Sequence, residues 1–164
     1  MSQLLIKAKS LVPAIVETIN LATRYNMALE NFELMNPISD GEKPSFEHWE
    51  AYHKDVEIIQ TRESIEKYLK KLTYDEVIIV QSIMYIGRDE RDVEKYLEDK
   101  KFAQENGGEF IEETGVFDSP QKKIFEYLKY LKGQSNSKED IVGSMISKAS
   151  LPQYLTRGLS LLEL

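Results

Sequence analysis

The chain has two histidines, His48 and His53, and no cysteine, so metal or nucleophile chemistry must be built from a short supply. Five positions apart on a helix, the imidazoles would point about 140° away from each other and could not close on one ion as an i, i+4 pair does. Glu50-Ala51-Tyr52-His53 reads as Glu-x-x-His, one quarter of a carboxylate-bridged di-iron site. Such a bundle site needs a second Glu-x-x-His and two further glutamates. The chain has no histidine left for the second copy, so the expectation is no metal site and no cofactor. The favoured reading places the histidines on an exposed helix face beside Trp49.

Nucleophilic catalysis has little footing either. Without cysteine, and with no serine in a nucleophile-elbow pattern, neither Ser–His nor Cys–His attack is set up. No Gly-rich nucleotide loop or zinc-finger spacing occurs. Asp89-Glu90-Arg91-Asp92 lacks the alternating ligands and mid-loop glycine of a calcium loop. One polar cluster merits a binding hypothesis. In Tyr85-Ile86-Gly87-Arg88-Asp89, a helix end, a glycine turn and a following helix N-terminus would offer an arginine and free backbone donors to an anion. Tyr85, Arg88 and Asp89 are the candidate site residues. The preferred alternative is local: Arg88 pairs with a carboxylate such as Asp92, and Asp89 caps the next helix.

The elements that would hold these residues are helical. Leu4, Leu5, Ala8, Leu11, Val12, Ile15, Val16, Ile19 and Ala22 recur at three-and-four spacing. Pro13 favours a helix beginning near residues 10–12 after a short helical lead-in, with the proline in its first turn. Met27 to Met35 continues it, or follows a brief break at Asn26. Residues 36–44, with two prolines and a glycine, are a loop, read as a connector before a lid. From Ser45, Phe46, Trp49, Tyr52, Val56 and Ile59 share one side, and Ile65, Tyr68, Leu69 and Leu72 carry the stripe on. Thr61 to Ser64 interrupts it, so 45–72 is one helix or two.

Thr73-Tyr74-Asp75-Glu76 matches a capping box ahead of the run Val77-Ile78-Ile79-Val80 and Ile83-Met84-Tyr85-Ile86. The β-branched content keeps a strand open as the lesser reading, but the cap and the length favour a buried helix over about 74–86. Gly87 is expected to end it in the left-handed conformation. A charged helix through Val93, Tyr96, Leu97 and Phe102 then leaves the core and stops before Asn106-Gly107-Gly108. Ser119-Pro120 starts another, with Ile124, Tyr127, Leu128 and Leu131 inward and Gly133 at its end. The stripe Phe125, Tyr127, Tyr130 is read as core before ligand cage. Ser137 with Asp140, and Ser150-Leu151-Pro152, open the last two helices.

Composition limits the partners. The net charge of −7 disfavours phosphate backbones, so no nucleic acid is expected. The charge is uneven: residues 1–118 hold 14 Lys/Arg against 24 Asp/Glu, and residues 119–164 hold 7 against 4. The basic end, with Lys122, Lys123, Lys129, Lys132 and Lys138, suits an acidic partner or a set of solvated helix faces, the latter favoured. No apolar run approaches the roughly 18–20 residues of a membrane span, and Lys7 and Lys9 interrupt what would be a signal-peptide core. A cytoplasmic location follows as the expectation.

Two stretches resemble a bacterial domain-of-unknown-function family, number 3775. One is Leu72 through Asp89, closing on Tyr85-Ile86-Gly87-Arg88-Asp89. The other is Leu151-Pro152-Gln153-Tyr154-Leu155-Thr156-Arg157-Gly158-Leu159. The family pattern is an aromatic-apolar-Gly-Arg-Gly-Asp step, a charged helix and a Tyr-Leu-x-x-Gly-Leu ending. This chain departs from it: Asp89 follows Arg88 with no second glycine, and the intervening segment is expanded. The resemblance covers about the last two-thirds of the chain and implies that residues 64–164 form one unit. It implies no activity and supplies no catalytic residue.

The expectation is an all-α, compact multi-helix bundle, one domain over 1–164, with a buried central helix over about 74–86. Its favoured role is a protein-binding module, its partner another protein or a second copy. The alternative is a small-ligand binder or enzyme using carboxylates and tyrosines in an inter-helix pocket.

Overall fold

A computed structural model describes residues 3–164; Met1 and Ser2, the start of the expected unit, lie outside the described residues. Among the described residues there are nine helices and no strand. They are α1 (Gln3–Ser10), α2 (Val12–Met35), α3 (Phe46–Lys54), α4 (Val56–Lys70), α5 (Tyr74–Asp89), α6 (Val93–Glu105), α7 (Pro120–Gly133), α8 (Lys138–Ile146) and α9 (Leu151–Leu161). The fold is all-α, and no described helix is long and apolar enough to cross a membrane.

α5 is the axis. Val77, Ile78, Ile79, Val80, Ile83, Met84 and Ile86 are all buried, so nearly every side of the helix is covered, which outweighs the poor helix propensity of Val and Ile. The capping box forms as expected: the Thr73 hydroxyl accepts from the Glu76 amide at 3.3 Å and the Glu76 carboxylate accepts from the Thr73 amide at 2.8 Å. α9, α7 and α8 pack around α5, while α2 spans α4 and α9. A satellite cluster of Ala28, Phe32 and Ile58 joins the far end of α2 to α4.

The expected glycine turn at Gly87 is absent. α5 runs through it to Asp89, and Gly87 is not among the residues with positive φ. The reason lies across the interface. A Cβ on Gly87 would overlap the carbonyl oxygen of Tyr154 and stand 2.7 Å from the amide nitrogen of Gly158, while one on Gly158 would overlap the carbonyl oxygen of Ile83. The two glycines let the backbones of α5 and α9 touch, and these helices belong to the two stretches that carry the motif resemblance. The chain leaves the helix at Glu90 in an extended conformation, and Asp92, not Asp89, caps α6 by accepting from the amides of Glu94 and Lys95.

The region 45–72 is two helices, broken at Asp55 and not at Thr61–Ser64. Asp55 closes α3, and its carboxylate accepts from the Ile58 amide at 2.9 Å to open α4. The break shifts the phase of the stripe: α4 buries Ile58, Ile65 and Leu69, while Phe46 is 78% and Val56 63% exposed. Similarly, Phe125 and Tyr130 lie in solvent, so only Tyr127 of that aromatic stripe packs against the core. α1 with α2, α7 and its Ser119 cap, the Ser137 cap, and α9 fall where the sequence puts them.

Candidate functional site

Two polar or aromatic assemblies stand out, one at the end of α5 and one where α2 meets α3.

At the first, Tyr85, Arg88 and Asp89 do come together. The Arg88 guanidinium lies 4.4 Å from the centre of the Tyr85 ring and donates from Nη2 to Asp89 Oδ2 at 2.9 Å. Its partner is therefore Asp89, not Asp92, and the pair, with Asp89 first among the causes, holds the guanidinium pKa above its usual value. Beside it sits a clasp with no motif to announce it. Lys123, 7% exposed, reaches Glu90 Oε2 at 3.1 Å and donates to the Val116 carbonyl at 3.1 Å. The Tyr127 hydroxyl donates to Glu90 Oε1 at 3.2 Å. Arg157 donates to the carbonyls of Gly87 and Glu90 at 2.9 and 2.6 Å, meeting orphan acceptors at the end of α5. These groups satisfy one another and tie α5, α7 and α9 at one corner. Lys123 corrects the solvated-face reading of the basic end. Lys132, bonded to Asp75 at 2.7 Å, and Lys138, donating to the Lys70 carbonyl at 2.6 Å, are also engaged within the chain. A faint signal is present in the sequence: Lys123, Tyr127 and Leu131 are spaced i, i+4, i+8 on the inner face of α7.

The second assembly is a groove of about 590 Å³. The last turns of α2 supply Leu29, Phe32, Glu33 and Asn36 at helical spacing, the loop returns with Pro37, Ile38 and Pro44, and α3 closes it with His48, Trp49 and Tyr52. Local chemistry fixes both walls. Asn36 ends α2 by donating its amide and Nδ2 to the Phe32 carbonyl at 2.9 and 3.0 Å. Ser45 starts α3 by accepting from the His48 amide at 3.1 Å. Phe32 sits edge-to-face with His48 at 5.3 Å and with Tyr52 at 5.5 Å, Trp49 with Tyr52 at 5.8 Å, and His53 stacks on Trp49 at 6.4 Å. Contacts of this kind stiffen the wall beyond what burial alone supplies. Ile38 and Trp49 of the lining leave apolar surface exposed, as do Met35 and Phe46 next to it in the chain.

Behind Tyr52 lies a smaller cleft of about 300 Å³ lined by Tyr25, Asn26, Arg62 and the end of α8. Burial, then the neighbouring Tyr52 hydroxyl, pushes the Tyr25 hydroxyl pKa up.

Glu50 of the Glu-x-x-His pattern is bonded to Lys54 at 2.6 Å. The histidines serve the aromatic wall instead: His48 lines the groove, and His53 backs Trp49. Periodicity alone makes this stripe an inward face and the loop a connector. The signal that points to a groove is the crowding of Phe, Trp, Tyr, Pro and acidic residues within 29–52.

The chain matches no family model, and neither a curated protein nor a solved structure shows significant similarity to it.

Proposed function

We propose that this is a protein-binding module of the cytoplasm, whose docking surface is the groove between α2 and α3. The observation that carries the reading is the solvent-facing Ile38 and Trp49 in a ring-lined groove, with exposed Met35 and Phe46 close by in the chain. Aromatic residues and Met are enriched at the buried centres of protein interfaces, and a rigid wall of rings loses little conformational freedom on binding. The groove's polar equipment is chiefly one carboxylate, one imidazole and one phenol, from Glu33, His48 and Tyr52. These three side chains are not joined into a proton-transfer chain, so the groove is furnished for recognition more than for acid–base work. The resemblance to family 3775 belongs to this proposal and adds no activity to it.

The test is co-purification from the native host with three versions of the full chain: wild type, Phe46→Ser with Trp49→Ala, and Phe125→Ser as an exposed-apolar control on α7. One identified protein, recovered stoichiometrically with wild type and the control but lost with the double variant, is expected. Equal recovery with all three overturns the reading.

A further inference from the structure

We infer that the groove takes an extended, proline-containing segment of another protein that carries Lys or Arg beside its apolar anchors. This rests on the docking reading above and names its partner class.

The first support is charge. Residues 29–52, which supply every lining side chain, hold six carboxylates and one lysine, a net −5 in a chain of −7. Of the six, Glu50 is paired with Lys54. Glu30, Glu33, Asp40, Glu42 and Glu47 have no ion-pair partner among the described residues. Elsewhere some acids, Glu66, Asp75 and Glu112 among them, meet a lysine of the chain at 2.6, 2.7 and 2.8 Å, while others such as Glu63 and Glu98 meet none among the described residues. Glu33 lines the groove itself, so a partner bringing cations would find a free carboxylate in the groove and be steered to it by the acidity of the segment that forms it.

The second support is shape and lining. Phe32, Trp49 and Tyr52 wall the groove and Pro37 and Pro44 border it, and a groove lined by aromatic rings suits the stiff pyrrolidines of an extended polyproline-type segment. The chain's own basic-apolar face, Phe125 and Tyr130 with Lys122 and Lys129, fits less well. It lies on a helix and not on an extended segment, and Lys122 is held by Asp118 at 2.8 Å.

Trp49 is the only tryptophan, so its emission reports on the groove. Short capped peptides built on Lys-Pro-Leu, Glu-Pro-Leu and Lys-Ser-Gly repeats are titrated into the full chain, with sedimentation of the chain alone alongside. The Lys-Pro-Leu peptide is expected to shift the emission saturably and to weaken as salt rises. The other two should bind at least about tenfold more weakly, and Glu33→Gln, exposed and free of internal pairing, should cost about two- to fivefold. Equal response to the Lys and Glu peptides, no response to any, or self-association that buries Trp49 overturns the inference. If the double variant still loses its partner while the peptides show no charge preference, the docking surface stands and the basic occupant falls.

Discussion

At Gly87 one methyl group would be enough to force α5 and α9 apart. Its missing side chain is where the Tyr154 carbonyl of α9 sits, and Gly158 makes room for the Ile83 carbonyl in return. Gly87→Ala and Gly158→Ala should each cost about 3 kcal/mol or more, because the obstructing atoms are backbone and cannot swing aside. Gly143, mid-helix in α8 with nothing near its absent Cβ, is the control: Gly143→Ala should stabilise by about 0.5–1 kcal/mol. Urea unfolding of the three variants reads this directly. Tyr127 gives a pH signature. Burial first, then the charge of Glu90, raises its pKa in the folded chain, whereas an unfolded tyrosine ionises at about 10. Its contribution is therefore complete below about pH 10 and lost as pH climbs toward the raised value. Tyr127→Phe should lower stability near about pH 8 through the lost hydrogen bond and flatten the fall above about pH 10.

Among the elements, the break at Asp55 decides where the groove is. One residue ends α3, its backbone amide donating to the Tyr52 carbonyl, and starts α4 with its carboxylate, turning α3 so that its rings meet Phe32 of α2. Asp55→Ala should cost about 1 kcal/mol as a lost cap. It should also let α3 drift from α2, seen as a red shift of Trp49 emission in a chain that still shows full helical ellipticity. The elements are largely legible in the sequence because their signals are local: the Thr73 box, Ser119-Pro120, and Pro13 placed in a first turn. Asp55 is not, because its neighbours Lys54 and Val56 suit a continuous helix equally well. Gly87 misleads because a helix-ending glycine and a helix-crossing glycine look alike until the partner helix is in place. The candidate trio Tyr85, Arg88 and Asp89 can be grouped from sequence, being neighbours at one helix end. The groove cannot, since it depends on Phe32 meeting residues sixteen to twenty positions later in the sequence.

For the molecule as a whole, the two ends of the structure differ in kind. Around α5, apolar packing, the glycine crossing and the Glu90–Lys123–Tyr127–Arg157 clasp leave charges matched and carbonyls met. At the α2–α3 end, rings and carboxylates face solvent with fewer partners, and stability there is lent by a three-residue satellite cluster. A docking surface drawn from the less stable region of a fold can gain order when its partner arrives. Backbone hydrogen exchange of the full chain, alone and bound to its co-purified partner, tests this most directly. New protection is expected to concentrate in residues 29–52, with the α5–α9 crossing and the outer face of α7 unchanged. Protection centred on α7 or α6, with exchange across 29–52 the same in both states, would contradict it.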